Sequence, residues 1–186
     1  QHYGIQPDMV TMAKGVASGY AAIACLVTTD AVFDMFKDDA SDPLNYFRDI
    51  STFGGCTAGP AAALENMRII EDENLLENTT KMGDYMLEKL AALGDRHAVV
   101  GEARGKGLFL GLELVSDRST KEPVSEKQIG AVVGACAADG VIIGATNRSN
   151  PGLNNVLCFA PPLIATADDI DQIVDAVDRS LTKVFA

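Results

Sequence analysis

Residues 103–115 read ARGKGLFLGLELV, and the glycines of Gly105-Lys106-Gly107 pose the first question of the fold. A Gly-x-Gly beside an apolar run resembles a dinucleotide-binding loop, in which a helix follows and presents its amides to a pyrophosphate. Here the period is two. Leu108, Leu110, Leu112 and Leu114 alternate with Phe109, Gly111 and Glu113, the pattern of a strand with one buried face. The third glycine is displaced to Gly111. The stretch therefore predicts a tight turn, with Arg104 as a structural residue at its shoulder, and a strand after it.

Outward from this strand the period changes again. Leu76, Met82, Met86, Leu90 and Leu93 recur at helical spacing and predict a helix over roughly 75–94. Residues 127–139 read as a second helix, 141–143 and 156–159 as short strands, and 146–155 as a loop. Thr166 is placed to cap the last helix, with Asp168 and Asp169 in its first turn, where the helix dipole favours acids. Ile170, Ile173, Val174, Val177 and Leu181 make its buried stripe, and Asp168, Asp169, Asp171, Asp175 and Asp178 its solvated face. Before residue 70 the pattern is richer in loops. It holds an apolar run over 9–13, a buried strand over 21–28, a short helix from Asp30 and a loop over 37–50. A long helix then starts near Gly59, with Pro60 in its first turn. The expected boundaries are one unit over 1–70 and a compact α+β unit over 71–186.

The 186 residues carry 15 Lys plus Arg against 26 Asp plus Glu, a net charge of −11 with no basic stripe. This argues against a nucleic-acid partner and against an anionic membrane surface. No apolar run reaches the length of a membrane span. The four cysteines have no paired spacing and read as small buried thiols of a cytoplasmic protein. The chain opens Gln-His-Tyr-Gly without Met, which raises the expectation that it is a piece of a longer polypeptide.

Two stretches bear chemistry. Lys14 has Met12, Ala13, Gly15, Val16 and Ala17 around it, a setting that reads as a lysine held in a pocket. Such a lysine either snorkels to the surface or serves as a Schiff-base amine. In STFGG, residues 51–55, two hydroxyls and two glycines precede a helix N-terminus. That combination either caps a helix from a flexible loop or holds a phosphate, and no Gly-Lys-Ser/Thr of a Walker loop follows. His2 and His97 offer no metal spacing.

Taken together, PDMVTMAKGVASGY (7–20), DISTFGGCTAGPAAALENMRIIEDENLLEN (49–78), EARGKGLFLGLEL (102–114) and FAPPLIAT (159–166) are more specific than any one of them. In this order and spacing they resemble the C-terminal portion of the class III pyridoxal-phosphate aminotransferases, over essentially the whole chain. FRDISTFGGCTAGPAAAL, TKEP and LIATADDID look most like the members that use taurine with pyruvate, and the wider ω-amino acid group is close behind.

The resemblance implies an α/β fold of the fold-type I pyridoxal-phosphate transferases. Residues 1–70 would end the cofactor-binding large domain, and 71–186 would form the small C-terminal α+β domain. It implies pyridoxal 5'-phosphate as cofactor, Lys14 as its Schiff-base lysine and proton carrier, and Thr52 as a phosphate ligand given to the partner subunit of a homodimer. Ser51 and Phe53 flank Thr52 and join the cofactor-binding set. Many relatives that handle dicarboxylates carry an arginine before Phe-x-Pro-Pro, where this chain has Cys158. Arg148, in TNRSNPG, matches the mobile arginine of ω-amino acid relatives and would bind the donor's carboxylate or sulfonate. The family's ring aspartate, stacking aromatic and Ser-Gly-Ser loop lie upstream of these motifs, so activity would require a preceding half. Three readings follow: a transaminase moving an amino group from taurine to pyruvate; a class III relative with another donor (β-alanine, other ω-amines) or aminomutase chemistry; and an inactive fragment serving as a folding or dimerisation module.

Overall fold

The computed structural model describes residues 2–37, 41–44, 46–148 and 150–186, so part of the expected 37–50 loop lies outside the described residues. Two compact units divide the chain, Gln1–Glu73 and Asn74–Ala186. Asn74, the first residue of the second, has φ 52, a left-handed backbone that Asn tolerates better than most residues.

In the first unit, β1 (Met9–Ala13) and β2 (Ala24–Thr28) form an antiparallel ribbon, registered from Met9 opposite Thr28 to Ala13 opposite Ala24. A 3-10 helix (Lys14–Ala17) follows β1, and the short helix α1 (Asp30–Asp34) follows β2. Helix α2 (Ala58–Asp72) closes the unit. The expectation of a buried strand over 21–28 is corrected: Leu26 and Val27 are at least half exposed. Among the described residues β1 and β2 pair with each other alone, which leaves these side chains uncovered.

In the second unit, helix α3 (Leu75–Ala92) leads to β3 (Val100–Lys106) and β4 (Phe109–Asp117), an antiparallel hairpin with Lys106 opposite Phe109. The glycine turn expected from the opening stretch is therefore the two-residue loop Gly107-Leu108, with Gly107 at φ 53. The strand before it escaped sequence reading because VGEARGK has no hydrophobic alternation. After β5 (Glu122–Pro123) come α4 (Glu126–Ala138), β6 (Gly144–Ala145), β7 (Val156–Phe159) and α5 (Ala167–Phe185). The sheet order is β3-β4-β7-β6, with β5 paired to β4. The strand expected over 141–143 falls instead at Gly144–Ala145, where the chain pairs with β7.

Leu110, Leu112 and Leu114 enter the core, while Phe109 on the opposite phase is 76% exposed. They share that core with Met86 and Leu90 of α3, Val132 of α4 and Val174 and Val177 of α5. Each buried Leu or Val contributes roughly 1.5–3 kcal/mol. On α3 it is Leu75 that is buried and Leu76 that is 70% exposed, opposite to the expectation. Helix α5 starts in a reciprocal capping box between Thr166 and Asp169. Its acidic face is only partly solvated. Asp171 accepts from Tyr85 and pairs with Lys89, and Asp178 pairs with Arg96 and His97. The cysteine expectation holds only for Cys136: Cys56 is exposed and the other two are half-buried.

Candidate functional site

Lys14 opens the 3-10 helix with φ 53. A left-handed backbone costs a non-glycine residue about 1–2 kcal/mol and persists only where neighbours over-determine it. Two internal bonds close the turn: Ser18 N–H donates to Gly15 O, and Tyr20 N–H to Ala17 O, both at 3.0 Å. A third restraint comes from α2. Asn66 Nδ2 donates to Gly15 O and to Val16 O, at 3.1 Å each. Near its start, α2 packs closely against the same loop: a Cβ on buried Gly59 would lie 3.3 Å from Ala22 O and from Ile23 Cβ. Lys14 itself is exposed and makes no ion pair or side-chain hydrogen bond among the described residues. The expectation of an enclosed lysine is corrected on this point. A short turn has one inner side, and Ala17 fills it at 0% exposure.

Ser51, Thr52 and Phe53 are exposed in consecutive turns, Gly54 N–H donating to Ser51 O and Cys56 N–H to Phe53 O. Gly55, at φ 80, takes a backbone that larger residues avoid. The hydroxyls of Ser51 and Thr52 make no hydrogen bond among the described residues, and Thr57 does not cap α2 with its side chain. The loop therefore presents free hydroxyls next to an uncapped helix start with no acid in its first turn. Such a donor set suits an anion. No hydrogen bond joins it to Lys14 among the described residues.

Arg148 belongs to the second unit. It is exposed on the 146–155 loop, without an ion-pair partner among the described residues. The stem of the loop is held. Asn155 Nδ2 donates to Leu114 O at 2.8 Å, and Glu126 Oε1 accepts from Asn154 Nδ2 at 2.8 Å and from Gly152 N–H at 3.1 Å. These bonds, the Asn154 amide first, hold the Glu126 carboxyl below its usual 4.5. A depressed value means the clamp is complete above pH 4.5 and is lost as pH falls through the lowered value. Glu126→Ala should make the Gly152 amide exchange several-fold faster at neutral pH, and acidification of the parent should reproduce that loosening. NMR hydrogen exchange measures both.

Cys158 lies on β7 in the second unit. With Phe159, Pro161, Pro162, Ile142 and Ile164 it lines an apolar groove of about 850 Å³ in the second unit. Burial pushes its thiol up, and a thiol offers an acid no countercharge in either protonation state. Arg104, by contrast, is structural: it bridges Glu102 on its own strand and Glu113 on β4. Among the described residues no three of His, Cys, Asp and Glu are placed to hold a metal ion. No helix among them is long and apolar enough to cross a membrane.

Asn66 escaped sequence reading. The signal was available: a poor helix former in mid-helix, three residues after buried Ala63 and four before half-buried Ile70, hence on the inward face.

The family description Aminotransferase class-III matches residues 1–181. A hypotaurine/taurine–pyruvate aminotransferase of Paracoccus denitrificans is 67% identical over 186 residues, all of this chain and 40% of that protein. A crystal structure of a Bacillus anthracis aminotransferase superposes with a TM-score of 0.91 at 39% identity, over 97% of this chain and 40% of that one. An amine transaminase from an uncultivated Pseudomonas species, solved in its PLP-bound form, superposes at 0.86 and 30% identity, over 98% of this chain and 40% of that one. The chain thus has the α/β fold of the corresponding part of these transaminases and spans about 40% of its relatives' length.

Proposed function

The chain belongs to the class III aminotransferases, and from that premise we propose that it is the lysine-bearing part of a pyridoxal-phosphate transaminase. The enzyme moves an amino group from taurine to pyruvate, giving alanine and an oxo product. The observation that carries this reading is Lys14: an amine without a countercharge among the described residues, held in a left-handed turn inside the family's match. The Paracoccus relative's activity supports taurine and pyruvate as the pair. In this reading residues 1–70 end the cofactor-binding domain, 71–186 form the small domain, and the enzyme is a cytoplasmic homodimer.

The residues present fit the cofactor. Lys14 offers the amine that an aldehyde requires, and Ser51 and Thr52 offer unengaged hydroxyls to a phosphate, with Phe53 beside them. Bound pyridoxal phosphate supplies the aldehyde that captures amines and a ring that takes up the electron pair left at the donor carbon. Lys14 Nζ would hold that aldehyde, and as a free amine it would be the group that carries a proton at the donor's amine-bearing carbon. Ser51 and Thr52 donate to the phosphate, serving the partner subunit's site. Arg148 closes on the donor's sulfonate, a planar guanidinium pairing with two of its oxygens.

Incubating the full-length protein with pyridoxal phosphate, reducing with borohydride and mapping peptides by mass spectrometry tests the reading. A phosphopyridoxyl adduct on Lys14 is expected, together with alanine formed from pyruvate and taurine faster than from β-alanine. Absence of the adduct would sink the transaminase reading. A faster rate with β-alanine would reassign the donor.

A further inference from the structure

We infer that Asn66 is the positioning residue of the Lys14 amine, because its Nδ2 holds the two carbonyls that follow Lys14, those of Gly15 and Val16. The inference rests on the reading of Lys14 as the amine that takes the cofactor. The turn's own bonds restrain Gly15 O and Ala17 O, and among the described residues no backbone N–H outside the turn donates to Val16 O. Asn66 supplies the missing restraint from a 15-residue helix, a far stiffer body than a four-residue turn. Gly59 seats the start of that helix against Ala22 and Ile23, so α2 touches the loop at two points and resists rocking. Lys14 occupies a backbone well that its own preferences disfavour. Release of the carbonyls would let the turn relax and swing the lysine's Cα–Cβ direction. Displacement of a reacting group by 1 Å costs on the order of 100-fold in rate. Asn is also a poor choice for a helix interior on propensity alone, so the contact accounts for its presence.

The test compares Asn66→Asp with the parent in the full-length protein. The variant keeps the shape but turns an acceptor toward two carbonyl oxygens. Arg68→Ala, on the same helix and paired among the described residues with Glu65 and Asp72 at the surface, is the control. The first readout needs no cofactor: acylation of Lys14 by acetic anhydride relative to exposed Lys81, followed by mass spectrometry. The second is kcat and KM for the amino donor. Asn66→Asp should change the acylation ratio by about threefold or more. It should lower kcat about 100-fold while KM stays within about twofold. The control should move neither. If the variant matches the parent in both, Asn66 only packs and the inference is overturned. A parent that forms no cofactor adduct at Lys14 would end the transaminase reading alone, and the acylation ratio would still decide the role of Asn66. Should Asn66→Asp fail to fold, Asn66→Ala, which leaves the carbonyls to water, carries the same comparison.

Discussion

On the proposed reading, Lys14→Ala in the full-length protein should lower alanine formation from taurine and pyruvate by about 10³-fold, the scale of losing a positioned proton carrier, and should abolish borohydride trapping at this site. No second lysine lies between residue 1 and Lys37, so no neighbouring amine in this part of the chain can substitute. Lys14→Arg fares no better, because a guanidinium keeps its proton at any working pH. The fold does not suffer. Lys14 is exposed and has no side-chain partner among the described residues, and surface changes of that kind stay within about 0.5 kcal/mol. Lys14→Gly goes further: it removes the strain of a left-handed lysine and should raise stability by about 1 kcal/mol as activity disappears. Alanine quantified by chromatography and unfolding followed by calorimetry read the two effects separately. Parent-level turnover by Lys14→Ala would remove Lys14 from the mechanism.

Gly83→Ala destabilises the second unit by about 2–3 kcal/mol, lowering its melting temperature by on the order of 10 °C. Gly83 lies on α3 where the helix crosses the hairpin turn. A Cβ there would overlap the carbonyl of Gly107 and come within 2.6 Å of its Cα. That obstacle is backbone, so no rotamer change relieves it. Gly107 cannot retreat, because it sits at φ 53 with Thr79 of α3 beneath it. The gain in helix propensity, about 1 kcal/mol, is smaller than the clash. Gly130→Ala is the counter-experiment. Gly130 lies on α4 with nothing within 4 Å of a new Cβ, so the same change should stabilise by about 0.5–1 kcal/mol. Opposite signs for the two variants would establish close packing, rather than glycine as such, as the cause; equal signs would refute it.

The glycine turn at 105–107 was legible because it breaks one local pattern and starts another. The alternation from Leu108 to Leu114, the stripe of α5 and the cap at Thr166 were legible for the same reason: each is a rule acting within a few residues. β3 was not, since its partner rather than its composition makes VGEARGK a strand. Lys14 and Thr52 were singled out from their neighbours in sequence, and Asn66 was missed although it touches the Lys14 turn.

By itself, then, the sequence determined the local periods, the turn chemistry and the helix ends, because these depend on interactions between near neighbours along the chain. Only the tertiary structure decided that Gly83 must yield to Gly107, that Arg118 gathers the carbonyls of Gly94, His97 and Val100, that Glu126 clamps the stem of the Arg148 loop, and that α2 reaches the turn of Lys14 through Asn66. Those contacts join residues some 18 to 51 positions apart. Folding of the intervening chain brings such pairs together, and no local pattern records which pairs will meet.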